Sequence, residues 1–184
     1  MQTVATMSPG TAPGTMPLNA ARDGGEILLT LFLAGQLCGV PVRCVRDVLG
    51  PQPLTRIPLA PPEVAGGLNL RGRIVTALDL RRRLDLPPRA AADGPPMAVV
   101  VEQGAELYAL LCDTVGEVVE LASRDFVAAP PTLDAQWRAL SRGVHRRLDG
   151  ASRAAGGGRH GAGRDEAGDG LLVLLDVERV LSLD

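Results

Sequence analysis

The chain has 184 residues, 46% of them hydrophobic, which suffices for one domain or for two small units sharing an apolar core. A formal charge of −2 and a pI near 5.7 argue against a general nucleic-acid binder, and aromatics at 2% (Phe32, Tyr108, Phe126 and Trp137) cannot build a stacking surface for single strands. Cys38, Cys44 and Cys112 have neither C-x-x-C spacing nor an even count, which excludes a disulfide framework or zinc knuckle and reads as small hydrophobes in a reduced, cytosolic chain.

Residues 1–25 are rich in Thr, Pro, Gly and Ala and lack periodicity, so they read as a disordered N-terminal tail. No basic residue precedes Arg22 and there is no apolar h-region, so the tail is not a secretory signal. The longest largely apolar run, Ile27–Gly35 (ILLTLFLAG), is far shorter than the roughly 18 residues of a membrane span, which predicts no direct membrane insertion.

From Leu31 to Gly50 the sequence predicts a strand, a Gly-containing turn and a second strand ending in Val45-Arg46-Asp47-Val48. The same unit recurs from Val101 to Glu120 at a constant shift of 70, pairing Leu37 with Leu107, Val40 with Leu110, Val45 with Val115, Asp47 with Glu117 and Val48 with Val118. A second echo follows at a shift of 97. Ile74–Leu84 (IVTALDLRRRL) matches Leu171–Leu181 (LLVLLDVERVL), each an apolar strand ending in an aspartate. Asp79 and Asp176 are each placed to N-cap a short helical turn carrying leucines.

The predicted unit is therefore hairpin, extended segment, apolar strand and capped turn, occurring twice. Short strands at this spacing predict small barrels that pack on each other, since neither is large enough to bury its own core well. Alternation predicts buried strand residues at Leu31, Leu33, Val40, Val42, Ile74, Leu78, Val99, Val101, Leu110, Leu172 and Leu174. Between the echoes, LDAQWRALSRGVHRRL can carry a short helix with Trp137 and Leu140 on one face. Asp149–Gly170 is dominated by Gly and Ala and predicts a flexible inserted loop.

Catalytic chemistry is not legible. Gly156–Gly161 (GGGRHG) fits G-x-G-x-x-G, but no strand precedes it and no helix follows, so it lacks the geometry that cradles a phosphate. His160 lies in the Gly-rich loop, where a catalytic base has no positional control. His145 reads as an exposed or partly packed histidine. Arg81–Arg83, near Asp85, read as a solvated helical face. No metal constellation, nucleophile elbow or cofactor motif emerges, so the chain reads as a binding module.

Glu26–Leu84 closely resembles the N-terminal half of the CheW family of bacterial chemotaxis coupling proteins. The matching features are Val45–Val48, the Thr55–Pro58 segment, the Asn69-Leu70-Arg71-Gly72 loop and the apolar strand ending in Asp79-Leu80-Arg81. The second half, with AVVVEQGAELYALLCDTVGEVVEL and LLVLLDVERVL, is similar to the family too. The resemblance implies a mainly β fold of two intertwined five-stranded SH3-like barrels on a shared core with short helices. Barrel one would span roughly 26–95 and barrel two roughly 96–184. It implies a non-catalytic adaptor without cofactor, placed in the cytoplasm at receptor arrays on the inner face of the cell membrane. Its partners would be the regulatory domain of a CheA-type histidine kinase and the cytoplasmic tips of chemoreceptors.

On that resemblance Arg71 and Asp47 pair at the edge of the inter-barrel groove, with Val45, Asn69 and Ile74 on the same partner-facing surface. Alternatively, Arg71 ties its own loop to the hairpin, and Val45 and Ile74 are simple core residues. A CheW-like module of another chemosensory pathway or adaptor, and a small β-barrel binding RNA or a ligand, remain alternative readings. A chain opening at Met1 with neither a kinase ATP site nor a receiver aspartate favours a stand-alone coupler.

Overall fold

The computed structural model describes residues 25–146 and 171–183. The predicted tail up to residue 24, the whole of the Gly-rich loop predicted at Asp149–Gly170, the Gly156–Gly161 motif and His160 lie outside the described residues.

The first half contributes β1 (Gly25–Leu33), β2 (Gln36–Pro41), β3 (Val45–Leu49), β4 (Val64–Leu70), β5 (Arg73–Asp79) and the one-turn helix α1 (Leu80–Arg83). The second contributes β6 (Met97–Gln103), β7 (Glu106–Cys112), β8 (Thr114–Ala122), β9 (Phe126–Val127), α2 (Ala135–Leu140), β10 (Ser141–Arg146), β11 (Leu171–Leu175) and α3 (Val177–Leu181). Two-residue turns explain the tight hairpins. Ala34-Gly35 (φ 49° and 83°) joins β1 to β2, and Arg71-Gly72 (φ 52° and 87°) joins β4 to β5. Positive φ at both central positions marks the turn whose twist matches that of paired strands.

The strands form two sheets, ordered β8-β1-β2-β11-β10-β9 and β3-β6-β7-β5-β4. The expected boundary near residues 95–96 separates neither sheet. The first half's β3 lies beside β6, and the second half's β8 lies beside β1. The crossed parallel pairs are equivalent as well: β5 runs alongside β7, and β11 alongside β2. Each half thus lends strands to the other's sheet, and the repeat becomes a pseudo-two-fold exchange. One sheet has six strands rather than the expected five because Phe126–Val127 pairs with β10. Its counterpart in the other sheet is a single bridge between Thr55 and Gly67 on β4. Gly66 and Gly143 adjoin these contacts at matching bulges, each where an added Cβ would lie 2.5 Å from the carbonyl oxygen of Thr55 or Val127.

Strand alternation sends side chains to both faces of each sheet, and each face carries a buried apolar cluster. Leu31, Leu33, Cys38, Val40, Leu78, Val99, Val101, Leu110, Val173 and Leu175 fill the core shared between the sheets. Leu68, Val75, Ala77, Ala98, Ala109 and Leu111 form a cluster confined to the five-stranded sheet and the 50–63 segment that flanks it. Leu28, Leu172 and Leu174 form its counterpart in the six-stranded sheet. Each wholly buried leucine contributes about 1.5–3 kcal/mol by leaving water.

Nine of the eleven residues predicted as buried strand positions are buried. Val42 is half-buried, because the chain leaves β2 at Pro41 and makes a 3-10 turn over Val42–Cys44. Ile74 is 77% exposed, because it sits at the turn end of β5, beyond the part of that face covered by the other sheet. Trp137 and Leu140 are the buried face of α2.

The two capped turns are superposable in chemistry. Asp79 accepts from the Arg81 N–H at 3.0 Å, and Asp176 from the Glu178 and Arg179 N–H groups at 3.1 and 3.2 Å. Arg82 pairs with Asp79 and donates to the Pro62 carbonyl; Arg179 pairs with Asp176 and donates to the Ala139 and Ser141 carbonyls. Arg83 reaches across the halves and donates to the Arg179, Val180 and Ser182 carbonyls, satisfying acceptors at the end of α3.

The Arg81–Arg83 run is therefore not a uniformly solvated face. Arg82 is exposed, but Arg81 is buried. Its guanidinium forks onto Asp113 at 2.8 and 2.6 Å, and Arg89 reaches the same carboxylate at 2.6 Å. Asp113 also accepts from the Ala34 N–H at 2.7 Å, so one acid ties α1, the β1–β2 turn and the β7–β8 junction together. Burial alone would raise the Asp113 pKa, but the Arg81 and Ala34 hydrogen bonds and the Arg89 charge outweigh it and hold it below the usual carboxylate range. His145 also departs from expectation. It is 4% exposed, lodged between β9 and β11, with its ring edge-to-face against Phe126 at 5.0 Å.

Candidate partner-binding site

Arg71 occupies the left-handed region, where a side chain costs about 1–2 kcal/mol relative to glycine. The turn is held by Asn69, whose Oδ1 accepts from the Gly72 N–H at 2.8 Å. This geometry projects Arg71 clear of the sheet, with its side chain 84% exposed. Its Nη2 nevertheless meets Asp47 Oδ2 at 2.9 Å, and Asp47 is 25% exposed on edge strand β3. A bulge between Val45 and Asp47 re-aims β3 at this point. Asp47 Oδ1 also accepts from the Val48 N–H at 2.9 Å.

Arg71 and Asp47 belong to a cleft of about 270 Å³ between the tips of two hairpins and β3. It is lined by five charged residues, Arg46, Asp47, Arg71, Arg73 and Glu102, and three apolar ones, exposed Ala105 and half-buried Leu70 and Leu107. Arg46 makes a second ion pair with Glu102. Leu70 and Leu107 pack against the five-stranded sheet's own cluster, so the cleft is the mouth of that cluster.

The residues singled out in the sequence are thus only partly brought together. Arg71, Asp47 and Asn69 share one turn-and-strand constellation. Val45 is half-buried and leans on the shared core, and Ile74 lies on the face of β5 opposite Arg73. Asp79 and Asp176 sit at the far ends of their strands and act as helix caps, away from the cleft. Arg46, Glu102 and Arg73 were not singled out by the sequence. Arg73 follows Asn69–Gly72 directly, and that adjacency was the available signal. Glu102 has Phe32 as its repeat counterpart, so the repeat gave no hint of it.

Among the described residues, no group of three or more His, Cys, Asp or Glu could hold a metal ion, and no helix is long and apolar enough to cross a membrane. Cys38 and Cys112 are buried free thiols. Burial raises both pKa values, to about 12 at Cys112, which keeps them protonated and poorly nucleophilic.

Comparison with known proteins places this architecture. The profile of the CheW-like domain matches residues 28–184. A chemotaxis protein CheW of Rhizobium meliloti is 31% identical over 130 residues, spanning 68% of this chain and 83% of that protein. A chemotaxis protein CheW of Klebsiella aerogenes is 24% identical over 166 residues, spanning 89% of this chain and 86% of that protein. In fold, the chain matches the crystal structure of the scaffolding protein TtCheW from Thermoanaerobacter tengcongensis with a TM-score of 0.67. That match has 22% identity and covers 87% of this chain and 94% of that one. With two exchanged sheets, a loop-borne arginine on an edge-strand acid and a family profile that spans nearly all the described residues, the chain belongs to the CheW-like domain family.

Proposed function

We propose that this chain couples the cytoplasmic tips of chemoreceptors to the regulatory domain of a CheA-type histidine kinase, at receptor arrays on the inner face of the cell membrane. The observation that carries the reading is the Arg71–Asp47 pair. A left-handed, strongly exposed arginine is an uneconomical way to stabilise a turn, since an exposed ion pair contributes only about 0–1 kcal/mol. Residues held in disfavoured conformations cluster where a surface is used for binding.

Arg71 and Asp47 supply polar, directional contacts, and Asn69 holds the turn that presents them. Ile74, an exposed β-branched residue, and half-buried Val45 supply apolar area on the neighbouring face at the margin of the shared core. An interface of this type combines an apolar centre with a polar rim. The adaptor needs no reaction step; its work is to hold two partners at once.

The test is reconstitution of the bridge. Receptor cytoplasmic fragments, immobilised on a support, are incubated with a CheA-type kinase with and without this protein. The reading expects kinase retention to depend on the protein and to rise with its concentration before falling at excess, as a bridging component requires. Retention indifferent to the protein, with no binding of either partner to it alone, would refute the coupling role.

A further inference from the structure

We propose that Arg73 is the cation of the Arg71 cleft that receives a carboxylate from the partner protein. The occupant of the cleft is then a protein segment presenting an acidic side chain next to an apolar one. This deepens the coupling reading and rests on it.

The argument is one of charge accounting inside a single cleft. Three arginines and two acids line its walls. Arg71 is taken by Asp47, and Arg46 by Glu102. Arg73 lines the same cleft, is exposed, and has neither an ion pair nor a side-chain hydrogen bond among the described residues. The pairing of Leu70 with Arg73 across the hairpin fixes where Arg73 leaves the backbone, one residue beyond the two-residue turn. A guanidinium on a strand end presents a planar fork of donors, and a carboxylate is the acceptor that matches it in shape and charge.

The apolar lining decides the rest of the ligand. Leu70, Ala105 and Leu107 line the same cleft and offer apolar surface beside its charged residues. A free phosphate or a nucleic-acid backbone would leave that apolar lining unused, whereas a peptide segment with an acid beside a leucine- or valine-sized side chain meets both. Charge is complementary in the remaining respect too, because the two internal pairs are already balanced and only a single negative charge is called for. The sequence supports the separation of roles: Asp47 has a repeat counterpart in Glu117, whereas Arg73 has none among the charged residues, so it is a feature of this one cleft.

The experiment measures affinity for the isolated regulatory domain of a CheA-type kinase at 50 and 300 mM salt (roughly 14 and 6 Å of screening length). It compares wild type, Arg73→Gln, Arg73→Glu and the control Arg138→Gln, an exposed arginine on α2. Arg73→Gln is expected to weaken binding about tenfold at low salt and Arg73→Glu about a hundredfold, with the salt dependence flattened in Arg73→Gln. Arg138→Gln is expected to match wild type. Scanning the kinase domain's acids to amides should find one whose loss is no longer felt in the Arg73→Gln background. Wild-type affinity and salt dependence in a folded Arg73→Gln protein would overturn the inference alone. Absence of binding by wild type itself would overturn the coupling reading and the inference with it. Loss of single-stranded RNA retention in Arg73→Gln, with kinase affinity unchanged, would overturn the assignment to a protein acid.

Discussion

Asp113→Asn is the substitution expected to damage the fold most for the least change in shape. Asp113 is 14% exposed, and the two guanidinium groups it holds, Arg81 and Arg89, are 11% and 17% exposed. The amide keeps the volume but removes the charge, leaving two largely covered guanidinium groups without their shared anion and Arg81 with only Asp93 at 3.5 Å. Breaking a buried pair from one side costs about 3–5 kcal/mol; the residual exposure places this case near the lower end, about 3 kcal/mol. That is a large share of the ~5–15 kcal/mol that a domain possesses. With a urea m-value of about 1–3 kcal/mol/M, the midpoint should fall by about 1–3 M. Trp137, the only tryptophan and 7% exposed, reports the transition by fluorescence. The contrast is Arg71→Gln, whose exposed pair should cost at most about 1 kcal/mol. Because the folded-state pKa of Asp113 is depressed, its contribution is present above the unfolded value near 3.9 and is lost as pH falls through the folded value. The difference between wild type and Asp113→Asn should therefore be constant near pH 7 and shrink in strong acid. Equal stability losses for Asp113→Asn and Arg71→Gln at pH 7 would refute the view that this acid ties the halves together.

Two further outcomes follow from the same geometry. Gly66→Ala and Gly143→Ala should each destabilise the protein by about 1–3 kcal/mol, to a similar extent, since each new Cβ would lie 2.5 Å from a carbonyl oxygen at equivalent places; paired urea melts check this, and a neutral result at either site would contradict the equivalence. In the native protein Cys38 and Cys112 should resist alkylation by iodoacetamide while half-buried Cys44 reacts, and mass spectrometry of labelled peptides would contradict the burial argument if all three reacted equally.

The repeats carried most of what could be known of the fold beforehand. The shift of 70 identified the hairpins and the shift of 97 the capped turns, because period-two burial and an N-cap aspartate are local patterns. Strand exchange was not legible in those patterns, because nothing local in β3 says whether it pairs with β2's sheet or with β6. Arg81 was misread for a related reason. Its helix neighbours suggest a solvated face, while its partner Asp113 lies 32 residues away. His145 became buried only when β9, two residues long and without periodicity, paired beside it. At the candidate site, the Asn69–Gly72 turn was readable from turn chemistry. The role proposed for Arg73 was hidden, because a cation without an ion pair among the described residues is defined by where its neighbours' partners are.

The most direct test of the central claim is a charge exchange at Arg71 and Asp47, read by capture of the kinase regulatory domain and of the receptor fragment. Each of Arg71→Glu and Asp47→Arg should remain folded by circular dichroism and lose roughly tenfold or more in capture, since each puts like charges where the native pair meets at 2.9 Å. The double variant restores opposite charges between the same turn and strand and should recover part of the binding. Wild-type capture of both partners by a folded Arg71→Glu protein would contradict the claim and leave Arg71 with only the tying of its own turn.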